Sequence, residues 1–260
     1  RLPEAVEHLR AATQTNPNHD EALNNLGIAL ASLGNAEGAA DAFQQAVRLR
    51  PDLVYLHSNL GNTLRQLGRL DEAVASLQAA LRINPTYVGA HYNLGIALEA
   101  QGRLDEAATA YRRLVELDPY HAGAYARLGL TLARLGNMTD ATRCLDHSLH
   151  LNPNDTHYAE VRNNLGVALY EQGKLNEALA CYAEALARVP DYPDAHRNRG
   201  IVLLLQGNWS EGWTEYEWRW RCKDSPAPSY SQPLWDGTPL ADRTILLHAE
   251  QGMGDALQFI

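Results

Sequence analysis

Three sets of residues in this chain have types and spacings that could do chemistry. The first lies near the C-terminal end. Residues 244–249 read as a buried strand, Gly252 and Gly254 as a tight turn, and Asp255 as the opening of a helix. Strand, glycine turn and helix in this order begin the α/β nucleotide-binding units, where a helix N-terminus holds a phosphate. A Gly-x-Gly alone carries little weight. The second set is a row of amides, Asn25, Asn59, Asn93, Asn164 and Asn198, with Arg127 in the fourth place of the row. An Asn side chain offers a donor and an acceptor together. A row of them could grip the backbone of an extended peptide with little sequence preference, or could bond neighbouring helices to each other. The third set is histidine. His57, His91 and His196 lie at least a helix pair apart, too far for one metal shell. His147, His150 and His157 cluster in sequence, but no carboxylate or thiol is placed to complete a site. Both groups read as packing or surface residues, and neither a metal nor a cofactor is expected in this stretch.

The elements that must position these residues follow from the spacing of glycine, proline and alanine. Gly27, Gly61, Gly95 and Gly129 are 34 residues apart, Gly166 follows after 37, and Gly200 after 34 more. Gly34, Gly68, Gly102, Gly136, Gly173 and Gly207 lie seven residues beyond each of these. Pro17, Pro51, Pro85, Pro119, Pro153 and Pro190 keep the same beat, as do Ala5, Ala39, Ala73, Ala107, Ala141 and Ala178. A fixed period of this length marks a repeat architecture. Three extra residues between Pro153 and Gly166 are the one break.

The third unit shows the physics. Ala90, Leu94, Ala97 and Leu98 recur at helical spacing and predict a helix A. Gly95 within it costs roughly 0.5–1 kcal/mol relative to Ala, so close approach of a neighbouring helix is expected. Gly102 stops the helix in a left-handed turn. Asp105 and Glu106 open a helix B, where acids suit the N-terminus; Ala107, Tyr111, Leu114 and Leu117 form its apolar face, and Pro119 ends it. Two antiparallel helices per 34 residues result.

Asn25-Leu26-Gly27, Asn59-Leu60-Gly61, Asn93-Leu94-Gly95 and Asn164-Leu165-Gly166 carry this pattern, which resembles the tetratricopeptide repeat. The early Trp of that repeat is replaced by Leu23, His57, His91, Tyr125, Arg162 and His196. The resemblance covers residues 1 to about 222: a leading partial unit (1–17), then six units at about 20–51, 54–85, 88–119, 122–153, 159–190 and 193–222. It implies an all-α solenoid wound as a right-handed superhelix, with helices A on the concave face. In the sixth unit Arg199 replaces the Leu and Gly212 the Ala. The amide row, Arg127 included, then faces the groove and resembles the ladder of O-linked N-acetylglucosamine transferases, implying a protein or extended peptide as partner. Asn24, Ser58 and Tyr92 at the neighbouring position, with no Lys, exclude a co-chaperone type of carboxylate clamp on the first three helices A.

Beyond the repeats the composition changes. Trp209, Trp213, Tyr216 and Trp220 are predicted on one helical face that closes the solenoid. Residues 223–240 read as a Pro/Ser-rich linker, with Trp235 as an anchor, and 241–260 as the start of a Rossmann-like domain. Solenoid, Trp-rich helix, Pro-Leu-Trp-Asp-Gly (233–237) and Glu-Gln-Gly-Met-Gly-Asp (250–255) come in an order similar to bacterial tetratricopeptide proteins fused to a heptosyltransferase-like glycosyltransferase. By that resemblance Asp255 is the general base that deprotonates an acceptor hydroxyl, and a nucleotide sugar is the parent's co-substrate. The lobes that would hold it are absent, so these residues alone are not expected to catalyse. The competing reading is a structural or interaction protein that self-associates end to end through its solenoid.

Composition narrows the rest. The chain has 260 residues and a net charge of −9, which argues against nucleic acid as a partner. With 45% hydrophobic and 20% charged residues it can bury a core. No apolar run approaches a bilayer span and no secretory signal is visible. The chain opens at Arg1 and closes at Ile260 in an apolar run, and reads as a fragment trimmed at both ends; a cytoplasmic setting is expected, an extracellular one being compatible. Cys144, Cys181 and Cys222 form no CxxC pair and read as small buried hydrophobes. Asn137, Asn154 and Asn208 each head an Asn-x-Ser/Thr acceptor sequence in a predicted turn, and are candidate N-glycosylation sites.

Overall fold

The computed structural model describes residues 2–154 and 157–223. Among them lie thirteen α-helices and a closing 3-10 helix. The first, α1 (Leu2–Thr15), packs against α2 (Asp20–Ser32), which pairs with α3 (Ala36–Leu49). The next pairs are α4 (Val54–Gln66) with α5 (Leu70–Ile83), α6 (Val88–Ala100) with α7 (Leu104–Leu117), and α8 (Ala122–Arg134) with α9 (Met138–Leu151). Then come α10 (Tyr158–Glu171) with α11 (Leu175–Arg188), and α12 (Pro193–Leu205) with α13 (Trp209–Tyr216) and the 3-10 turn Glu217–Arg221. The two helices of each pair pack on each other, and the second helix of a pair packs on the first helix of the next. The molecule is an all-α solenoid of helical hairpins. The expected strand, turn and Rossmann-like start at 241–260, with Asp255, lie outside the described residues, as does the linker beyond Lys223.

Each hairpin is turned by a glycine with left-handed backbone, such as Gly34 at φ +79° and Gly102 at φ +75°, where a side chain would be strained. The second glycine series serves close packing. A methyl group on Gly95 would press into the ring of Tyr111, which is wholly buried. The helix B starts are held electrostatically as well: Arg69 forms two bonds of 2.8 Å to Glu72, and Arg103 two of 2.7 Å to Glu106. Asn35 caps α3 through Gly38 N at 3.0 Å and Asn137 caps α9 through Asp140 N at 3.3 Å. His19 Nδ1 accepts from Ala22 N (3.3 Å) and His121 Nδ1 from Ala124 N (3.1 Å), capping α2 and α8.

The core is continuous along the repeats but divides in the fourth. One buried cluster runs from Val6 to Cys144, and a second from Leu145 to Val202. Ala39, Ala73, Ala107, Ala141 and Ala178 have no exposed surface, because each sits where two helices touch.

The predicted Trp face forms only in part. Helix α13 ends at Tyr216 and the chain tightens into the 3-10 turn, so Trp220 leaves the face. Trp209 stays 60% and Trp213 44% exposed. The cause lies in two glycines. Tyr216's backbone fills the space a Gly200 side chain would need, and Leu204 fills that of Gly212. Helices α12 and α13 therefore meet backbone to backbone, which leaves no room for indoles between them. Trp218 stacks on His196 instead.

Candidate functional site

Helices α2, α4, α6, α8, α10 and α12 line one face, and the amide row lies along it. Between α10 and α12 this face hollows into a groove of about 600 Å³, lined among others by Asn163, Asn164, Val167, Tyr192, Arg197 and Asn198. Asn25 and Arg127 are exposed, and Asn59, Asn93, Asn164 and Asn198 half-buried. Two of the amides bridge repeats: Asn59 Nδ2 donates to Asn24 Oδ1 at 3.0 Å, and Asn198 Nδ2 to Asn163 Oδ1 at 3.0 Å. Each bridge spends one donor and one acceptor. A carbonyl oxygen on one amide and N–H groups on both are left, the complement of a peptide group. Bonding of neighbouring helices and a polar groove lining are thus properties of the same dyads.

The middle of the row is built differently. Glu99 of α6 has a side chain only 10% exposed. Its Oε1 accepts from the Thr131 hydroxyl at 2.6 Å, and its Oε2 from the Tyr111 hydroxyl at 2.9 Å. Arg127 Nη1 reaches Oε2 at 3.5 Å while its side chain stays 44% exposed. Burial, reinforced by the Glu99 carboxylate, pushes the Tyr111 phenol well above its ordinary value. Burial pulls the Arg127 guanidinium down, but Glu99, with Tyr111 and Tyr92, outweighs it and leaves the group above its ordinary value. Sequence reasoning missed Glu99, Tyr111 and Thr131 as a unit. The available signal was the one acid at a helix position held by Ala31, Arg65, Ala133, Tyr170 and Leu204 in the other repeats.

The histidines act as structural partners. His57 Nε2 bonds the Pro51 carbonyl at 3.0 Å, His91 the Pro85 carbonyl at 2.9 Å, and His196 the Pro190 carbonyl at 2.7 Å. Each bond ties a helix A to the carbonyl just beyond the preceding helix B. Tyr125 and Arg162 hold this place in the fourth and fifth repeats; Tyr125 packs edge-on to His147 at 4.4 Å. Among the described residues no three His, Cys, Asp or Glu side chains gather as a metal site. Cys144, Cys181 and Cys222 are buried, and burial raises the Cys144 and Cys181 thiols above their ordinary value. Among the candidate glycan acceptors, Asn137 donates to Asp140 Oδ2 (2.8 Å) and Asn208 to Glu211 Oε2 (3.1 Å), both at helix starts, while Asn154 lies in an exposed turn.

A second hollow, about 760 Å³, opens on the opposite face between α7 and α9. Its apolar floor includes Val115, Leu128 and Leu132, and its rim Arg112, Arg143 and His150. No helix among the described residues is long and apolar enough to cross a membrane.

Hairpins stacked in this way, with one helix of each lining a common face, define a superhelical repeat solenoid. Family models described as tetratricopeptide repeat match residues 1–53 and 58–122, and 100–165; one described as TPR repeat matches 166–207. The chain is a tetratricopeptide-repeat protein. It is similar to protein FlbA of Caulobacter vibrioides, 32% identical over 120 residues, which is 44% of this chain and 20% of that protein's length. Among solved structures it is similar to a tetratricopeptide repeat protein of Parabacteroides merdae (20% identical, 81% of each chain, TM-score 0.66). It also resembles YrrB, described as a TPR protein with an unusual peptide-binding site (23%, 72% of this chain and 95% of that one, TM-score 0.62), and MamA (24%, 65% and 90%, TM-score 0.60).

Proposed function

We propose that the helix-A face is a docking groove for an extended protein segment. The observation that carries this is the pair of inter-repeat amide dyads, Asn24–Asn59 and Asn163–Asn198. They are rigidly held and still offer peptide-like hydrogen bonds on the concave face. YrrB, a protein of the same fold, has an unusual peptide-binding site, which supports the same use of the solenoid here. The test is selection from a random 12-residue peptide display library. Peptides enriched on the wild type and lost on Asn59→Ala/Asn198→Ala support the groove; enrichment unchanged by that double substitution overturns it.

The order of motifs from Trp209 to Ile260 supports a further step: the solenoid recruits the acceptor for a glycosyltransferase-like domain of a larger protein, with Asp255 as its base. Sugar transfer by the full-length parent, lost on Asp255→Asn, is the expected result. A parent that binds no nucleotide sugar ends this reading.

One observation favours self-association as a second reading. Leu205, Trp209 and Trp213 are exposed together on the last hairpin, at 61%, 60% and 44%. Sedimentation at rising concentration decides it: a chain that stays monomeric removes the end-to-end scaffold.

A further inference from the structure

The amide dyads would grip any extended chain alike, so they leave open what the groove selects. The fourth place of the row answers with a different chemistry. Arg127 is the one cation among the six residues of the row, and Glu99, Tyr111 and Tyr92 are the groups set against it. Glu99 lies behind it, 10% exposed, with both oxygens already taken by Thr131 and Tyr111. A carboxylate so engaged holds the guanidinium in place but has little left to offer a ligand. Arg127 itself remains 44% exposed, and a guanidinium has five N–H donors in a planar fork. The contact to Glu99 uses one of them and Tyr92 takes another, and the remaining donors are left for a ligand. Other charges stand near the row: by the repeat register Arg65 is to Asn93 as Glu99 is to Arg127, and Arg197 lines the α10–α12 groove paired with Asp194 at 3.2 Å. The chain as a whole carries −9, so an exposed guanidinium in the amide row runs against the general charge.

We propose that Arg127, oriented from behind by Glu99, makes the groove select segments that place a carboxylate opposite the fourth repeat. This rests on the groove reading above. It differs from a clamp on the first three helices A, since it uses one arginine of the fourth held by a buried acid of the third.

The experiment is a double-mutant cycle on peptides taken from the library selection. Each peptide is synthesised with its acidic residue as Glu or Gln, and with a free or amidated C-terminus, and titrated against wild type and Arg127→Gln by fluorescence anisotropy. The expected result is a loss of about fivefold on changing Glu to Gln with wild type, absent with Arg127→Gln. A loss on amidation in place of the side-chain change assigns the carboxylate to the peptide terminus and supports the same role for Arg127. Glu99→Gln is expected to weaken the same discrimination in part, while thermal denaturation reports whether the fold survives each change. Equal discrimination by wild type and Arg127→Gln overturns this inference and leaves the groove standing. A wild type that enriches no peptide overturns both.

Discussion

His196 lies flat against Trp218, with ring centroids 4.0 Å apart and planes 14° from parallel. Its Nδ1 sits 2.6 Å from Glu215 and its Nε2 2.7 Å from the Pro190 carbonyl, and Arg199 holds the same Glu215 from the other side at 2.8 Å. The degenerate sixth repeat is thus closed by a polar cluster where the other repeats use Leu and Ala. His196→Phe keeps the stack and loses both bonds. Its expected cost is about 2 kcal/mol, read as a lower Tm, with red-shifted Trp emission as Trp218 meets water. An unchanged Tm would show that the cluster only decorates the end.

Glu99→Ala leaves the Tyr111 hydroxyl without its partner and removes one of the two acceptors of Thr131, which keeps the Arg127 carbonyl at 2.8 Å, at the join of the third and fourth repeats. A loss of about 2–3 kcal/mol is expected by urea denaturation. Glu99→Gln, which can still accept from one hydroxyl, should lose about half of that.

Gly95→Ala and Gly102→Ala separate two roles of glycine. The first forces a methyl into the buried Tyr111 ring and should cost about 1–3 kcal/mol through overpacking. The second strains a left-handed turn with open space around it and should cost about 1–2 kcal/mol. Tyr111→Leu should not relieve the first loss, because Leu77 and Leu145 crowd Gly61 and Gly129 about as closely at the same repeat position.

Alkaline stability has a defined window. Burial, followed by the nearby Asp194, raises the Tyr192 phenol from 10.0 to about 12. The folded state therefore holds this proton more tightly than the unfolded chain. That contribution is complete below pH 10 and is lost as pH rises through about 12. Burial acts on Tyr111 and Tyr182 in the same direction. Urea midpoints measured at pH 9 and pH 11 should differ less in Tyr192→Phe than in wild type.

How much was legible in sequence depends on the range of the contact. The helices, their glycine stops and the buried alanines follow from a 34-residue period, since each is decided within one hairpin or by the same neighbour in every repeat. The Asn59–Asn24 and Asn198–Asn163 bonds join residues 35 apart, and only the period itself hints at them. Glu99 with Thr131, 32 apart, repeats nowhere else, so no pattern announces it. The histidines at 57, 91 and 196 share a position, yet that their common partner is a proline carbonyl depends on the angle between consecutive hairpins. The Trp face failed for a similar reason: helical spacing of Trp209, Trp213 and Trp220 assumes a helix longer than the contact through Gly200 and Gly212 permits.

The histidine-to-proline bonds are one of several ways in which the joints of the solenoid are closed. They serve the joints entering the second, third and sixth repeats; at the joint into the fourth Thr131 donates to Glu99, and at the joint into the fifth Arg188 donates to the Pro153 carbonyl. These two joints flank the point where the buried core divides and the α7–α9 hollow opens. Mechanically the solenoid, from its first repeat to its sixth, is a row of hairpins each riveted to the next, with rivets of different chemistry on either side of the fourth repeat. A segment lying along the groove would meet a rail that resists bending at every one of these joints.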